Sequence, residues 1–370
     1  MFHRTRVVPA GTDVRWRNRH ERPPWKPGLQ GVVAARTRLS RVDGERGELL
    51  IAGLPVAELA RGSFEAAAAA LAGGTEAQWR RRLGDARVAA ADALPGLAGL
   101  DQPDAMAALQ AGLAQLPIDD GADALGAVAV LTATWIRSQR GLPPLPPDPT
   151  APHARDLHRL ATGEADPAAG DALGRYLITV GDHGLNASTF AARVVASTGS
   201  DLRSTLLAGL GALKGPLHGG APGPVLDMLD AVGSPDRAAA WVRGELDAGR
   251  RIMGMGHRVY RVRDPRAAVL QEALQTLGGS PRAALADAIE AAATAELDRR
   301  KPGRALRANV EFFTAVLLER LGLPREAFTA TFACGRALGW SAHVAEERRD
   351  GRIMRPRAEY VGPVTALRHP

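Results

Sequence analysis

Apolar residues recur at three- and four-residue spacing along most of this chain, interrupted by short clusters of Gly and Pro. That period marks helices with one buried face, and it predicts them over residues 55–71, 76–91 and 102–116. Residues 123–140 form a longer, mostly buried helix. Its uncharged apolar stretch, 124–136, ends at Arg137 and falls short of the ~18 residues that a membrane span requires. The proline-rich stretch 141–152 reads as an extended connector, because the residue before each proline avoids the helical region. Further helices are predicted over 154–161, 167–180, 186–198, 201–213, 225–232, 235–249, 265–277, 281–300, 310–321 and 325–348. Only residues 37–40 and 48–52, flanking Asp43-Gly44, look like strands, as one small hairpin. The fold class is therefore all-α, and no repeat period is visible.

Composition supports this and narrows the setting. Alanine is abundant and aromatic residues make up only 4% of the 370 residues, which favours helices over sheets. Cys334 is the single cysteine, so no internal disulfide can form and a reducing compartment, the cytoplasm, is expected. The formal net charge of +7 suits attraction of small polyanions. Nucleic acid is not expected as a partner, because aromatic residues do not interleave with the basic ones as a stacking platform would. Residues 1–28 are basic and carry several prolines but no apolar core, so a loosely ordered extension is expected rather than a secretory signal.

Several stretches could carry chemistry. Gly254 and Gly256 precede His257, and Arg258, Arg261, Arg263 and Arg266 follow it. A proton-transfer group in a tight loop ringed by cations suits an anionic substrate; an arginine-rich surface turn is the alternative. His218 lies in Gly215-Pro216-Leu217-His218-Gly219-Gly220 ahead of a helix start, a place that keeps an imidazole neutral and able to donate a hydrogen bond. His183 stands in Gly181-Asp182-His183-Gly184 before another helix. Arg336 is the only Lys, Arg, Asp or Glu from 327 to 344, with Phe332, Trp340 and His343 on roughly its own face. It meets either an internal carboxylate or a bound one. Glu311 follows Asn309 at a helix start, either as a first-turn acid that favours the dipole or as a general base.

Taken in order, these stretches resemble the citrate synthase family. The match rests on Asp182-His183 with Leu185-Asn186-Ala187-Ser188-Thr189-Phe190, and on the Gly-Pro-Leu-His-Gly-Gly loop around His218. It continues through Gly256-His257-Arg258-Val259-Tyr260 with Asp264-Pro265-Arg266, then Asn309-Val310-Glu311-Phe312-Phe313. Gly335-Arg336-Ala337-Leu338-Gly339-Trp340 and Arg355-Pro356-Arg357 complete it, over residues 28–370.

The resemblance implies a helical homodimer, with a large domain of residues 29–219 plus 321–370 and a small domain of 220–320 closing on substrate. It implies condensation of acetyl-CoA with oxaloacetate and hydrolysis of the thioester, with no cofactor or metal. Glu311, His218 and His257 take the catalytic positions. His183, Arg266, Arg336 and Arg355, the last from the partner subunit, take those that hold oxaloacetate. Ile252, Met253, Gly254, Met255, Gly256, Arg261 and Arg304 match the coenzyme A region. Three positions depart from the usual pattern: Glu311 replaces Asp, Pro222-Gly223 replaces Asn-Glu, and Met255 replaces Phe or Tyr. A carboxylate one bond longer calls for a compensating backbone position, since a misplacement of ~1 Å costs ~10²-fold in rate. Two other readings remain beside the main one: 2-methylcitrate synthesis from propionyl-CoA, and a non-catalytic metabolite-binding dimer.

Overall fold

A computed structural model of the chain describes residues 26–29, 31–219, 222–304 and 306–363. Residues 37–353 form one compact unit, and the two terminal segments form a second. Most of the expected N-terminal extension lies outside the described residues. In the second unit a short turn covers Pro27–Leu29, and residues 354–361 have neither helix nor strand.

The large unit opens with a sheet of three short antiparallel strands, β1 (Ser40–Asp43), β2 (Glu48–Ile51) and β3 (Leu54–Pro55). The first strand lies later than expected, because Asp43 Oδ1 accepts the amides of Glu45 and Arg46 and fixes the turn after residue 43, while the second starts at the expected Glu48. Fifteen helices follow among the described residues. The helix expected over 55–71 is two, α1 (Val56–Leu59) and α2 (Phe64–Ala72), since Ser63 accepts the Ala66 amide and caps a new start. Next come α3 (Glu76–Ala93), α4 (Ala105–Leu113), α5 (Gly121–Ser138), α6 (His153–Thr162) and α7 (Pro167–Gly181). The chain continues with α8 (Ala187–Ala196), α9 (Leu202–Leu213), α10 (Pro222–Val232) and α11 (Ala238–Asp247). It ends with α12 (Pro265–Thr276), α13 (Pro281–Arg300), α14 (Val310–Arg320) and α15 (Phe328–Asp350).

Two helices organise the core. The apolar α5 packs on α3, α4, α6 and α15, and α15 in turn packs on α7, α8 and α9. Gly335 makes the close approach of α7 to α15 possible, because a Cβ there would stand 2.6 Å from the Leu177 carbonyl oxygen. The C-terminal end of α7 is thereby set against the middle of α15, with Arg336 beside it. Asn186, Asp264 and Asn309 cap the starts of α8, α12 and α14, and so fix the chain next to His183, Arg266 and Glu311.

Candidate active site

The loop before His257 and the start of α14 are one construction. Gly256 N donates to the Arg307 carbonyl at 2.7 Å, and Asn309 N donates to the Gly254 carbonyl at 2.9 Å, around an antiparallel bridge between Met255 and Ala308. Asn309 uses both ends of its amide: Oδ1 accepts the Glu311 amide at 3.1 Å and Nδ2 donates to the Gly256 carbonyl at 2.9 Å. Gly254 has φ +72° and lies so close to Phe312 that a Cβ would meet its side chain at 2.9 Å. Two stretches more than fifty residues apart thus bring His257 and Glu311 to one place. Burial raises the Glu311 carboxyl above its ordinary range, with Arg266 opposing.

His257 has a defined tautomer. Its Nδ1 accepts the amides of Val259 at 3.0 Å and Tyr260 at 3.1 Å, so the proton of the neutral ring is on Nε2. Burial beside Arg266 holds its pKa down to about 4 and keeps the ring neutral at physiological pH. Arg266 Nη2 stands 3.4 Å from Nε2; both atoms then carry protons, so both are donors into the same space. Arg266 itself grips Asp264 through Nε at 3.0 Å and Nη2 at 2.8 Å. Asp264, which caps α12, is also a buried counter-ion.

His183 completes a ring cluster, 5.8 Å from the His257 ring and 5.6 Å from Tyr260, whose hydroxyl is 3.0 Å from His183 Nε2. Burial, with Arg266 and Arg336 nearby, holds its pKa well below the ordinary value. Arg336 is 1% exposed and donates Nε to the Val180 carbonyl at 2.7 Å, capping the C-terminal end of α7. Its guanidinium lies 4.8 Å from the Phe332 ring centroid. The internal ion pair considered from sequence is not there: no carboxylate among the described residues lies within ion-pair reach of Arg336. Burial accordingly lowers its pKa to about 10, with Asp182 opposing from further away.

Sequence spacing placed Trp340 and His343 on the face of Arg336, and both have other tasks. His343 Nδ1 accepts from Arg193 Nη1 at 2.9 Å, so its Nε2 carries the proton and donates to Asp182 at 3.2 Å. Arg193 also binds Glu346 at 2.7 Å and Glu347 at 2.8 Å. Burial opposes the charge on Asp182, but His343, Ser40 and Arg336 together outweigh it and hold the carboxyl below its ordinary range. Arg193 and Glu347 carried no signal in the sequence, because only the fold brings them together.

His218 sits half-buried in its loop, with Nε2 2.9 Å from Ser188 Oγ. Trp340 Nε1 donates to the same Oγ at 3.3 Å. The His218 pKa is lowered to about 4 by burial first and Arg336 second, rather than by the helix start expected from sequence. The loop is anchored by Thr329 Oγ1 donating to the Gly219 carbonyl at 3.0 Å. Gly220 and Ala221 lie outside the described residues.

Among the expected coenzyme A positions, Ile252 is buried and Met253, Arg261 and Arg304 are exposed. Gly254, Met255 and Gly256 form the backbone pairing described above. The side chains of Arg261 and Arg304 have no carboxylate partner among the described residues, whereas Arg263 is tied to Glu290 at 2.8 Å. Arg355 is exposed within residues 354–363.

A family model described as "Citrate synthase, C-terminal domain" matches residues 28–357. A Mycobacterium tuberculosis (H37Rv) relative provisionally named citrate synthase 2 is 40% identical over 358 residues, spanning 91% of this chain and 93% of its own. A 2-methylcitrate synthase of Mycobacterium tuberculosis (Erdman) is 34% identical over 363 residues, 92% of each chain. The fold matches Thermoplasma acidophilum citrate synthase, solved as a ternary complex with carboxymethyl coenzyme A and oxaloacetate, with TM-score 0.81, 27% identity and 93% and 98% of the two chains covered.

Proposed function

The chain belongs to the citrate synthase family, and we propose that Glu311, His218 and His257 join the acetyl group of acetyl-CoA to oxaloacetate. Hydrolysis of the resulting thioester then yields citrate and coenzyme A. The observation that carries this reading is the backbone pairing that binds the His257 loop to the Glu311 helix start, beside two buried arginines.

Glu311 removes a proton from the acetyl methyl group, and its raised pKa makes it a stronger base than a solvated carboxylate. His218 donates a hydrogen bond to the enol oxygen from Nδ1, which requires Nε2 to accept the Ser188 hydroxyl proton. Asn186 Oδ1, 2.7 Å from Ser188 Oγ, competes for that proton, so Ser188 sets the tautomer of His218. His257 Nε2–H polarises the ketone of oxaloacetate and delivers its proton as the carbon–carbon bond forms. Arg336, without a carboxylate of its own, binds one carboxylate of oxaloacetate, and Arg266 and His183 bind around the other. Residues 252–256 with Arg261 and Arg304 receive coenzyme A.

Residues 220–320 close as a small domain on the remainder and exclude water until condensation is complete. Arg355 completes the oxaloacetate site across a homodimer. No helix among the described residues is long and apolar enough to cross a membrane, which fits action in the cytoplasm. The similarity to a 2-methylcitrate synthase supports propionyl-CoA as a second substrate. One methylene is worth only ~1–3 kcal/mol in a hydrophobic pocket, so kcat/KM for the two thioesters decides between them. Coenzyme A release that requires both oxaloacetate and an acyl-CoA is the expected result. Oxaloacetate binding with no release from either thioester would instead identify a non-catalytic binding dimer.

A further inference from the structure

The hairpin of β1 and β2 reaches two of the loops that present ring nitrogens to the site. At its start, Ser40 Oγ accepts the amide of Gly184, the residue after His183, at 3.0 Å. The Val42 side chain lies against the same glycine, with Cγ2 3.7 Å from where a Cβ would stand. At its turn, the Gly44 carbonyl accepts the amide of Arg261 at 2.9 Å, in the loop that carries His257. Gly47 backs the adjoining Val262, where a Cβ would come within 2.5 Å of Cγ2. The two histidine rings so held stand 5.8 Å apart, with the Tyr260 ring against both.

The hairpin is rooted in the core, whereas the loop it meets is not. Leu49 and Ile51, at the two-residue period of strand β2, are buried. They pair with β1 in a fixed register, Leu49 opposite Val42 and Ile51 opposite Ser40. Ahead of β1, Arg38 N donates to the Glu346 carboxylate of α15 at 2.9 Å, so the strand starts from the ion network around Arg193. Arg258, Val259, Arg261 and Val262 of the facing loop are exposed. Gly44 is required there by space alone. Its φ lies outside the left-handed region, yet a Cβ would stand 2.3 Å from the Val259 carbonyl oxygen. Alanine would leave the turn unstrained and push the loop away by about 1 Å to reach an ordinary contact.

We propose that Ser40 and Gly44 are positioning residues for the oxaloacetate site: the hairpin clasps the His183 turn and the His257 loop, and so fixes the spacing of the two rings. This rests on the reading of His183 and His257 as groups that meet oxaloacetate. Ser40 acts through Gly184, and Gly44 through Val259 and Arg261.

The test compares the full-length wild type with Gly44→Ala, Ser40→Ala and Ser40→Thr, by oxaloacetate Kd from calorimetry, kcat/KM for oxaloacetate and Tm. Gly44→Ala should lower kcat/KM for oxaloacetate by ~10²-fold, the cost of ~1 Å of misplacement. The Arg261 amide should also lose protection against hydrogen exchange in that variant. Ser40→Ala should weaken oxaloacetate binding by about fivefold, the worth of one hydrogen bond. Ser40→Thr keeps the hydroxyl on a residue suited to a strand and should recover the binding. Tm should stay within about 3 °C of wild type throughout, because the buried face of β2 is untouched. The Ser40 pair carries the test if Gly44→Ala folds poorly. Unchanged oxaloacetate Kd and kcat/KM in either alanine variant overturns the proposal. So does a loss that follows a fall in Tm and is not recovered by Ser40→Thr, which would make the hairpin a structural support only. Oxaloacetate affinity left intact by both His183→Asn and His257→Gln would instead overturn the reading of those histidines, whatever the hairpin does.

Discussion

The Nδ2 of Asn309 donates to the carbonyl of Gly256 at 2.9 Å, tying the residue before His257 to the cap of the helix that carries Glu311. One amide therefore sets the spacing of the proposed base and the proposed carbonyl donor. Asn309→Ala should cost ~1 kcal/mol of stability as a lost helix cap, read in denaturant unfolding. It should also lower kcat by tenfold or more, since ~1 Å of misplacement costs ~10²-fold. Asn309→Asp keeps the cap but loses the donor, so it should keep stability and still lose rate. Equal rates for the wild type and the Asp variant would show that the tie to Gly256 is dispensable.

Glu311→Gln should abolish turnover while leaving oxaloacetate binding near normal. The raised Glu311 pKa also has a stability consequence. A carboxyl raised in the folded state stabilises the fold below its unfolded pKa, and that contribution is lost as pH rises through the folded value. Removing the charge should therefore raise Tm at pH 7, with the gain shrinking as the solution is acidified below the ordinary glutamate range. A Gln variant less stable than wild type at pH 7 would contradict this.

Arg336 is a buried cation with no ion-paired carboxylate among the described residues. Arg336→Met, close in length and apolar, should leave unfolding stability unchanged or higher. Oxaloacetate affinity should fall at least tenfold by calorimetry, because a bidentate anion partner is lost. Unchanged affinity would remove Arg336 from the substrate site.

His343 links Arg193 to Asp182, and both would be stranded without it. His343→Leu should destabilise by ~3–5 kcal/mol, the cost of breaking a buried charged pair. His343→Gln offers one donor and one acceptor and should recover most of that loss. Asp182 is depressed in the folded state, so its contribution is present above the unfolded aspartate pKa and lost as pH falls through the folded value. Urea unfolding between pH 7 and 3 should show wild-type stability falling toward that of the Leu variant.

His218 and His257 both titrate at about 4, well below an unperturbed imidazole. The kcat/KM profile should therefore show no histidine limb near pH 6.5, and the first loss on acidification should belong to Glu311, whose carboxyl is raised. A limb at 6.5 that disappears in His257→Gln would show that this ring is not held neutral as the fold implies.

Helical period, the glycine-bracketed histidines and the isolated Arg336 were legible without coordinates, because each depends on neighbours within a few residues. Local caps also belong to the sequence: Asn186, Asp264 and Asn309 each accept amides two or three residues ahead. Tertiary structure alone decided the rest. Whether Arg336 met a carboxylate or a carbonyl depended on how closely Gly335 lets α7 approach α15. The partners of His343 came from α8 and from the turn after α7, which helical spacing within α15 could not show. Interactions set by chain spacing can be read from the chain; those set by the packing of distant helices exist only once the core has formed.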